Sequence, residues 1–261
     1  MELNKIYVEN CIETLQRMPD DLLDMTLASP PYDDLRTYNG YELPMSEIVK
    51  LLYLKMKPGG VVVWVVADRT FKGGETMTSF EHAFAFANAG FLLHDTMIYA
   101  KNNPIPQDCG PRYRQSFEYM FCFAKGTPKT FNPILRPSHS GKAFRSFRIT
   151  RTGRSDLGFD RTAPEVRKAA NIFHYNVGTS SATERIAFQH PAIFPEKLAE
   201  DQIRSWTNPG DLVYDCFMGS GTTARSATVL NRNWIGSEIS PEYAAIAEER
   251  LEIVGPLLIE L

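Results

Sequence analysis

Long apolar runs are missing from this chain of 261 residues. No uninterrupted run reaches the ~20 apolar residues that a membrane-spanning helix needs, so we expect no membrane association. The first residues, Met1 to Lys5, lack the basic and apolar regions of a secretory signal. We therefore expect a cytoplasmic protein.

Cysteine and net charge are also scarce. The four cysteines are far apart, form no Cys-x-x-Cys pair and stand near no histidine at zinc-ligand spacing, so we expect reduced thiols and no metal site. The net charge is −3, so the total charge does not indicate a nucleic-acid partner. What the chain has is 43% hydrophobic and 23% charged residues, a composition typical of globular proteins with a large core.

An apolar run from Leu22 to Ala28 ends in Ser29-Pro30-Pro31-Tyr32. The run predicts a buried parallel strand, and ligands bind at the carboxyl edge of such sheets. Two successive prolines fix φ twice and remove two backbone donors, which makes the loop stiff. Such a loop can hold a planar ring with an amino group, because the amine can donate to Ser29 and to a prolyl carbonyl while Tyr32 stacks on the ring. The alternative is a strand end closed by a rigid turn.

Apolar periodicity predicts alternating strands and helices as far as residue 125. The predicted strands cover residues 5–8, 22–28, 61–67, 91–101 and 116–125. The predicted helices begin at residues 10, 45 and 77. The last two strands are expected to form an antiparallel pair at one edge of the sheet. This order predicts α/β architecture.

Residues 126–183 lack this periodicity and are rich in Gly, Pro, Ser and Thr. The region contains ten basic and three acidic residues, so its net charge is +7 in a chain whose total net charge is −3. A spacing of three along part of the basic set suits a strip that contacts phosphates. The alternative is a solvated loop. The residues predicted to contact nucleic acid are Arg136, Lys142, Arg145, Arg148, Arg151 and Arg154.

A glycine-rich turn with Gly219 and Gly221 lies between a predicted strand, residues 212–215, and a predicted helix. Glycine lets the backbone approach a ligand, and N–H groups at the helix start favour negative charge. The next predicted strand ends in Glu238, 17 residues after Gly221, where a carboxylate can hold two ribose hydroxyls.

This pattern also fits the Gly-x-Gly-x-x-Ala fingerprint of dinucleotide-binding proteins, so a nicotinamide-dependent oxidoreductase is the rival hypothesis. The 23 residues after Glu238 are too few for a second mononucleotide half in its usual order. An adenosine ligand without a pyrophosphate fits better, and S-adenosyl-L-methionine is the candidate.

Together these segments resemble the β-class DNA amino-methyltransferases. The family's catalytic loop, Asp/Asn/Ser-Pro-Pro-Tyr/Phe, appears as Ser29 to Tyr32, and its methyl-donor loop, Phe-x-Gly-x-Gly, appears as Phe217 to Gly221. His190 to Pro195 resembles the segment that precedes the donor loop, and the segments follow the β order. The chain departs at Glu9-Asn10-Cys11, where the family often has Gly-Asp-Cys.

The resemblance implies a Rossmann-like, mostly parallel sheet of seven strands in the circularly permuted order of class I methyltransferases. It divides the chain into a catalytic half (1–125), a target-recognition insert (126–183) and a cofactor-binding half (184–261). It implies S-adenosyl-L-methionine as the cofactor and double-stranded DNA as the substrate. A cognate restriction endonuclease and a second copy of the chain are the further partners that the family suggests.

The resemblance also assigns site residues. The catalytic set is Ser29, Pro30, Pro31 and Tyr32. The cofactor-binding set is Asn10, Phe194, Pro195, Asp215, Phe217, Gly219, Gly221, Thr222, Thr223 and Glu238. Asp215 either orients the donor's amino group or caps the turn, and Phe194 and Pro195 either line the adenine pocket or pack in the core. Thr222 and Thr223 are expected to direct N–H groups at the donor carboxylate.

Ser29 bears on the choice of base. An ionised Asp would face the lone pair of the ring acceptor beside the amine, whereas Ser can donate to it. In the family, Ser mostly accompanies N4-cytosine specificity and Asp accompanies N6-adenine specificity. We predict in-line methyl transfer to the N4 amine of a flipped cytosine, with N6-adenine as the alternative. An inactive binding module with the same fold is a further alternative.

Overall fold

A computed structural model describes residues 1–31, 43–104, 110–138, 143–146, 149–150, 153–154, 159–162, 164–178, 181–190 and 193–257, with the backbone alone for the strand residues between 143 and 162 and for 255–257. The chain divides into two compact units. The first consists of Met1–Asn132 and Asn171–Leu261, and the second of Pro133–Ala170.

Helices and strands alternate through most of the first unit. The helices are α1 (Cys11–Arg17), α2 (Met45–Lys55), α3 (Thr78–Asn88), α4 (Glu196–Trp206), α5 (Thr222–Val229) and α6 (Pro241–Leu257), with a 3-10 helix at Arg185–Gln189. The strands of this unit are β1 (Lys5–Val8), β2 (Leu23–Ala28), β3 (Met56–Val66), β4 (Thr70–Phe71), β5 (Gly74–Glu75), β6 (Leu92–Lys101), β7 (Phe117–Ala124), β14 (Ile172–Tyr175), β15 (Leu212–Asp215) and β16 (Asn233–Glu238).

One eight-stranded sheet runs through the first unit in the order β1-β16-β15-β2-β3-β7-β6-β14. β7 is antiparallel to both of its neighbours, and the other pairs are parallel. The predicted α/β class with a mostly parallel sheet is therefore confirmed. Its order also places a reversal between β15 and β2, because the chain proceeds from these strands toward opposite edges. Ligands of open α/β sheets bind at such a switch point.

The sheet has one strand more than the seven expected. The additional strand, β14, pairs with β6 and lies within the region where no regular element was predicted. The prediction that the antiparallel pair β6–β7 forms the sheet edge is therefore wrong, because β14 pairs with β6 and forms that edge. Four residues are too short a run for period-two alternation to stand out from an irregular region.

β3 also begins earlier than predicted. Residues 57–60, which precede the predicted strand at 61–67, belong to the strand. The Gly59 N–H donates to the Lys125 carbonyl at 2.7 Å, and the Lys125 N–H donates to the Gly60 carbonyl at 3.1 Å. These bonds extend the ladder despite two glycines, which weaken a strand by themselves.

The core lies on both faces of the sheet. Along β3 the residues alternate: Val63 belongs to the apolar cluster that contains Leu198 of α4, and Trp64 belongs to the cluster that contains Phe86 of α3. Both faces of the strand are thus covered, which explains its continuous apolar run. In the described part of the chain, no helix is long and apolar enough to cross a membrane.

The second unit consists of short antiparallel ladders. Its strands are β8 (Leu135–Pro137), β9 (Ala143–Ser146), β10 (Ile149–Thr150), β11 (Gly153–Arg154), β12 (Phe159–Thr162) and β13 (Val166–Lys168). They pair as β8–β13, β9–β12 and β10–β11. The unit covers a shorter range than the expected insert of residues 126–183, whose role in target recognition stays a prediction.

Candidate active site

The two predicted loops leave the sheet side by side. β2 and β15 are adjacent and parallel, with Met25 opposite Val213, so the Ser29 loop and the glycine loop follow neighbouring strand ends. The Thr223 hydroxyl oxygen lies 3.4 Å from the Leu27 carbonyl oxygen, so the start of α5 is in contact with the end of β2. The sheet therefore brings together segments that lie far apart in the sequence.

The predicted catalytic loop is described as far as Pro31. Pro30 is buried, whereas Ser29 and Pro31 are partly exposed at the strand end. Tyr32, the fourth predicted catalytic residue, lies outside the described residues. Ser29 is thus partly accessible at the end of β2, and the neighbouring strand β15 leads into the glycine loop.

Gly219 and Gly221 have left-handed backbone conformations, with φ of +51° and +79°. A Cβ atom on Gly221 would lie 2.9 Å from the Cβ of Ala247, and one on Gly219 would lie 3.1 Å from Nε2 of His190. Side chains disfavour this region of φ. At Gly221 a side chain would also collide with Ala247, and at Gly219 it would require His190 to shift.

The Glu238 carboxylate closes the glycine loop from the next strand. It accepts hydrogen bonds from the Gly219 N–H at 2.7 Å and from the Ser240 N–H at 2.9 Å. Burial raises the pKa of Glu238 above its ordinary value, while these backbone hydrogen bonds oppose the increase. β1 pairs with β16 so that Val8 lies opposite Glu238, which places Asn10 just beyond the same edge. The Asn10 side chain caps α1 by accepting from the Ile12 N–H at 3.0 Å.

Asp215 lies beneath the loop and is almost completely buried. Its carboxylate accepts from the Phe217 N–H at 2.9 Å and from the Thr223 hydroxyl at 2.6 Å. Burial raises the pKa of Asp215 to about 7, although both hydrogen bonds favour the charged form. Of the two roles left open by the sequence, these contacts favour capping of the turn.

The aromatic residues of the predicted donor site have separate environments. The Phe217 ring meets Trp64 edge-on, with ring centroids 5.9 Å apart. Trp64 in turn donates from Nε1 to Nδ1 of His82 at 3.1 Å. Phe194 is partly buried against the apolar core, which favours the packing alternative for this residue, and Pro195 precedes α4 as its N-cap.

A buried ionic cluster, which the sequence analysis did not predict, contacts the residues that flank Gly221 in the glycine loop. Arg250 of α6 is completely buried and donates to the Ser220 carbonyl and to Thr222 Oγ1, each at 3.0 Å. Its guanidinium also donates to Glu184 at 2.9 Å and to Glu196. A single side chain thereby fixes the residues on both sides of Gly221.

Arg225 of α5 completes this cluster. Its Nε lies 3.1 Å from Glu184 and 3.3 Å from Glu196, so two guanidinium groups face two buried carboxylates. Burial opposes ionisation of Glu184, but its hydrogen bond to Arg250 and the charge of Arg225 outweigh burial and hold its pKa below the ordinary value. We refer to Glu184, Glu196, Arg225 and Arg250 as the ionic cluster.

A protein-family model matches most of this chain. Residues 23–249 match the model of the N6/N4 methyltransferase family, described as DNA methylase. The chain belongs to this DNA methyltransferase family. A relative from Bacillus amyloliquefaciens, the orphan methyltransferase M.BamHII, is 48% identical over 243 residues, which cover 91% of each chain.

Solved structures agree with this DNA methyltransferase in fold. PvuII DNA methyltransferase (cytosine-N4-specific) superposes with a TM-score of 0.67 at 22% identity and covers 94% of this chain and 84% of its own. The M1.HpyAVI–SAM complex gives a TM-score of 0.64 at 24% identity, over 95% of this chain and 98% of its own. The predicted β-class resemblance and class I methyltransferase fold are confirmed.

S-adenosyl-L-methionine is the cofactor of this DNA methyltransferase family, as expected from the glycine loop. The nicotinamide hypothesis is therefore dropped. The donor supplies an electrophilic methyl group on a sulfonium. The loop fits such a ligand, because the two glycines allow the backbone to approach a ligand closely and Glu238, at the end of the adjacent strand, offers a carboxylate for ribose hydroxyls.

The predicted DNA contacts of this DNA methyltransferase lie in its second unit or outside the described residues. Arg136 is exposed on β8 and lies opposite Arg167 in the ladder with β13. Arg145 lies on β9 and Arg154 on β11, in separate ladders, and their backbone alone is described. Lys142, Arg148 and Arg151 lie outside the described residues. The role of these residues stays a prediction.

Proposed function

We propose that this DNA methyltransferase transfers a methyl group from S-adenosyl-L-methionine to the exocyclic N4 of a cytosine flipped out of double-stranded DNA. The observation that carries the proposal is Ser29, rather than an acid, at the end of β2 beside the glycine loop. The similarity to a cytosine-N4-specific enzyme in fold supports the same base.

Ser29 and Pro30 act by orienting the amine. An exocyclic amine is a weak nucleophile because its lone pair is delocalised into the ring. Hydrogen bonds from its two N–H groups to Ser29 Oγ and to the Pro30 carbonyl favour a pyramidal nitrogen, whose lone pair points at the methyl carbon. The N–C bond forms as the C–S bond breaks, S-adenosylhomocysteine leaves, and the amine then releases one proton to solvent.

The same two acceptors stabilise the positive charge that develops on nitrogen. Tyr32, by stacking on the ring, adds a cation–π contribution. Both bases carry a ring acceptor beside the amine, N3 in cytosine and N1 in adenine, and a serine hydroxyl can donate to this acceptor whereas an ionised acid cannot. We favour N4-cytosine over N6-adenine because serine at this position mostly accompanies N4-cytosine specificity in the family.

The test is product analysis. Duplex DNA is incubated with the protein and labelled donor, digested to nucleosides and analysed by mass spectrometry. We expect N4-methylcytosine. N6-methyladenine as the sole product would refute the choice of base, and unmodified nucleosides would refute the activity.

A matched pair of variants tests the role of Ser29. Ser29→Ala removes the hydroxyl, and we expect kcat to fall on the order of 100-fold while donor affinity is retained. Ser46→Ala removes an exposed hydroxyl on α2 and should leave kcat unchanged. Normal methylation by Ser29→Ala would show that the hydroxyl does not orient the amine.

Target recognition by the second unit is part of the proposal. Its support is the net charge of +7 over residues 126–183. Neutralising Arg136 and Arg167 together should weaken DNA binding without changing donor affinity, and unchanged DNA binding would contradict this role. The endonuclease partner, the homodimer and the cytoplasmic location stay predictions.

A further inference from the structure

Two segments outside the predicted DNA-binding set extend beyond the catalytic edge of the sheet. Trp64 of β3 lies opposite Ala28, so the end of β3 reaches past the start of the Ser29 loop. Val66 lies opposite Tyr119 near the start of β7, which runs in the reverse direction. The chain after β3 and the chain before β7 therefore emerge beside the catalytic loop.

These segments contact each other. β4 and β5 form a small hairpin after β3, and the Arg112 guanidinium, from the segment before β7, donates to the Gly73 carbonyl at the hairpin turn. On the hairpin, Arg69 and Lys72 lie over the Phe71 ring at 5.0 and 5.1 Å from its centroid. The result is one continuous surface, which we call the edge patch. It consists of Arg69, Phe71, Lys72, Arg112, Tyr113 and Arg114.

The edge patch is basic and exposes aromatic rings. Phe71 is 53% exposed and Tyr113 is fully exposed. Two described acids near the patch have hydrogen-bond or ion-pair partners outside it. Asp68 accepts from the N–H and the hydroxyl of Ser79, and Glu118 pairs with Lys101 at 2.7 Å.

Hydrogen bonds from Ser79 leave the charge of Asp68 in place, so among the described residues Asp68 and Glu75 offset two of the four patch cations and the edge patch keeps a net positive charge. Exposed cations interleaved with aromatics, in a protein with a negative total charge, suit a polyanion with sugar and base surfaces.

We propose that the edge patch binds the phosphate backbone of the DNA next to the flipped base, with Phe71 and Tyr113 against the sugars. A base enters the catalytic loop only if the duplex passes over this edge, and the patch supplies the charge there. The proposal rests on DNA as the substrate, but it does not depend on which base is methylated.

A pair of charge-matched double variants tests it. Lys72→Gln with Arg114→Gln removes two patch cations and spares Arg112, which holds the hairpin. Lys5→Gln with Arg204→Gln removes the same charges at the opposite edge, since Lys5 begins β1 and Arg204 lies in the last turn of α4. The affinity for a labelled duplex that the wild type methylates is measured over a range of salt concentrations.

For the patch variant, the slope of log affinity against log salt should decrease by about 0.9 for each phosphate that is no longer neutralised. At 0.1 M salt this corresponds to a rise in Kd of roughly eightfold per phosphate. Affinity for S-adenosylhomocysteine should not change, and the control should match the wild type. Equal slopes and Kd values for the patch variant and the control would overturn the proposal.

The outcome is separable from that of the proposed function. If the product is N6-methyladenine but the patch variant loses salt-dependent affinity, the patch proposal stands and the choice of base fails. If the wild type methylates cytosine and the patch variant binds DNA as tightly as the wild type does, the choice of base stands and the patch proposal fails. A wild type that neither binds nor methylates duplex DNA overturns both.

Discussion

Arg250→Met removes the central side chain of the ionic cluster. In the wild type, two guanidinium groups face two buried carboxylates, and the partly exposed Glu200 also pairs with Arg225. Without Arg250, Arg225 alone faces Glu184 and Glu196, so at least one buried negative charge has no cationic partner. Removing one partner of a buried ion pair costs ~3–5 kcal/mol. For a domain of this size each kcal/mol lowers Tm by roughly 2–4 °C.

The variant should also bind the donor more weakly. Arg250 donates to Ser220 and Thr222, the residues that flank Gly221. Loss of one such hydrogen bond is worth about 1.4 kcal/mol, or about a tenfold rise in Kd. We would measure the free energy of unfolding by urea titration and the affinity for S-adenosylhomocysteine by calorimetry. Arg250→Lys should recover little, because an ammonium cannot match the planar fork of donors.

A double variant separates charge balance from packing. Glu184→Gln in the Arg250→Met background removes the excess negative charge, so it should recover part of the lost stability, whereas Glu184→Gln alone should destabilise. This non-additivity is the signature of a coupled pair. If Arg250→Met lowers the free energy of unfolding by less than about 1 kcal/mol, or if the two changes are additive, the ionic cluster does not support the loop.

Three further predictions follow from the loop. Gly221→Ala should lower the free energy of unfolding by ~2–4 kcal/mol, through backbone strain and through contact with Ala247. Gly210 has φ of +88° and nothing within 4 Å, so Gly210→Ala should lose less stability, by backbone strain alone, in the same thermal melts. Equal losses of stability in the two variants would contradict the contact with Ala247. Glu238→Gln should weaken S-adenosylhomocysteine binding at least tenfold in calorimetry, while Glu242→Gln, exposed in the first turn of α6, should not.

The third concerns pH. Because burial raises the pKa of Asp215 from 3.8 to about 7, the folded state holds a proton that the unfolded state has released between these values. Stability from this group therefore falls as pH rises through that interval, by about 1.4 kcal/mol per unit. The variant Asp215→Asn has no titratable group at this position, so the stability of the variant relative to the wild type should increase from pH 5 to pH 7 in urea titrations. A difference in stability that stays constant over this range would contradict the raised pKa of Asp215.

Local patterns predicted the elements that position the site. The continuous apolar run of β3 and the alternation of strands and helices were enough to predict the α/β class, because both faces of the sheet are buried. Ser29 with its prolines and Gly219 with Gly221 were visible because a stiff loop and a left-handed turn require particular residue types. Their proximity needed the added inference that parallel strands end at one edge.

The ionic cluster and the edge patch could not be predicted in this way. Arg250 stands in the run Ala-Glu-Glu-Arg-Leu-Glu, which is typical of a solvated helix face, and its burial depends on how α6 packs. Gly73 and Arg112 are far apart in the sequence and meet because β7 runs against β3. Such contacts arise from tertiary pairing, and no local period records them.

The pairing of β15 with β2, and of β16 with β1, has a consequence for synthesis of the chain on the ribosome. β2 leaves the exit tunnel almost two hundred residues before its neighbour β15, and β1 leaves more than two hundred residues before β16, so β2 has an open edge during this time. Such an edge invites pairing with other chains. A nascent chain therefore lacks the glycine loop and Glu238 beside β2 until β15 and β16 have left the ribosome.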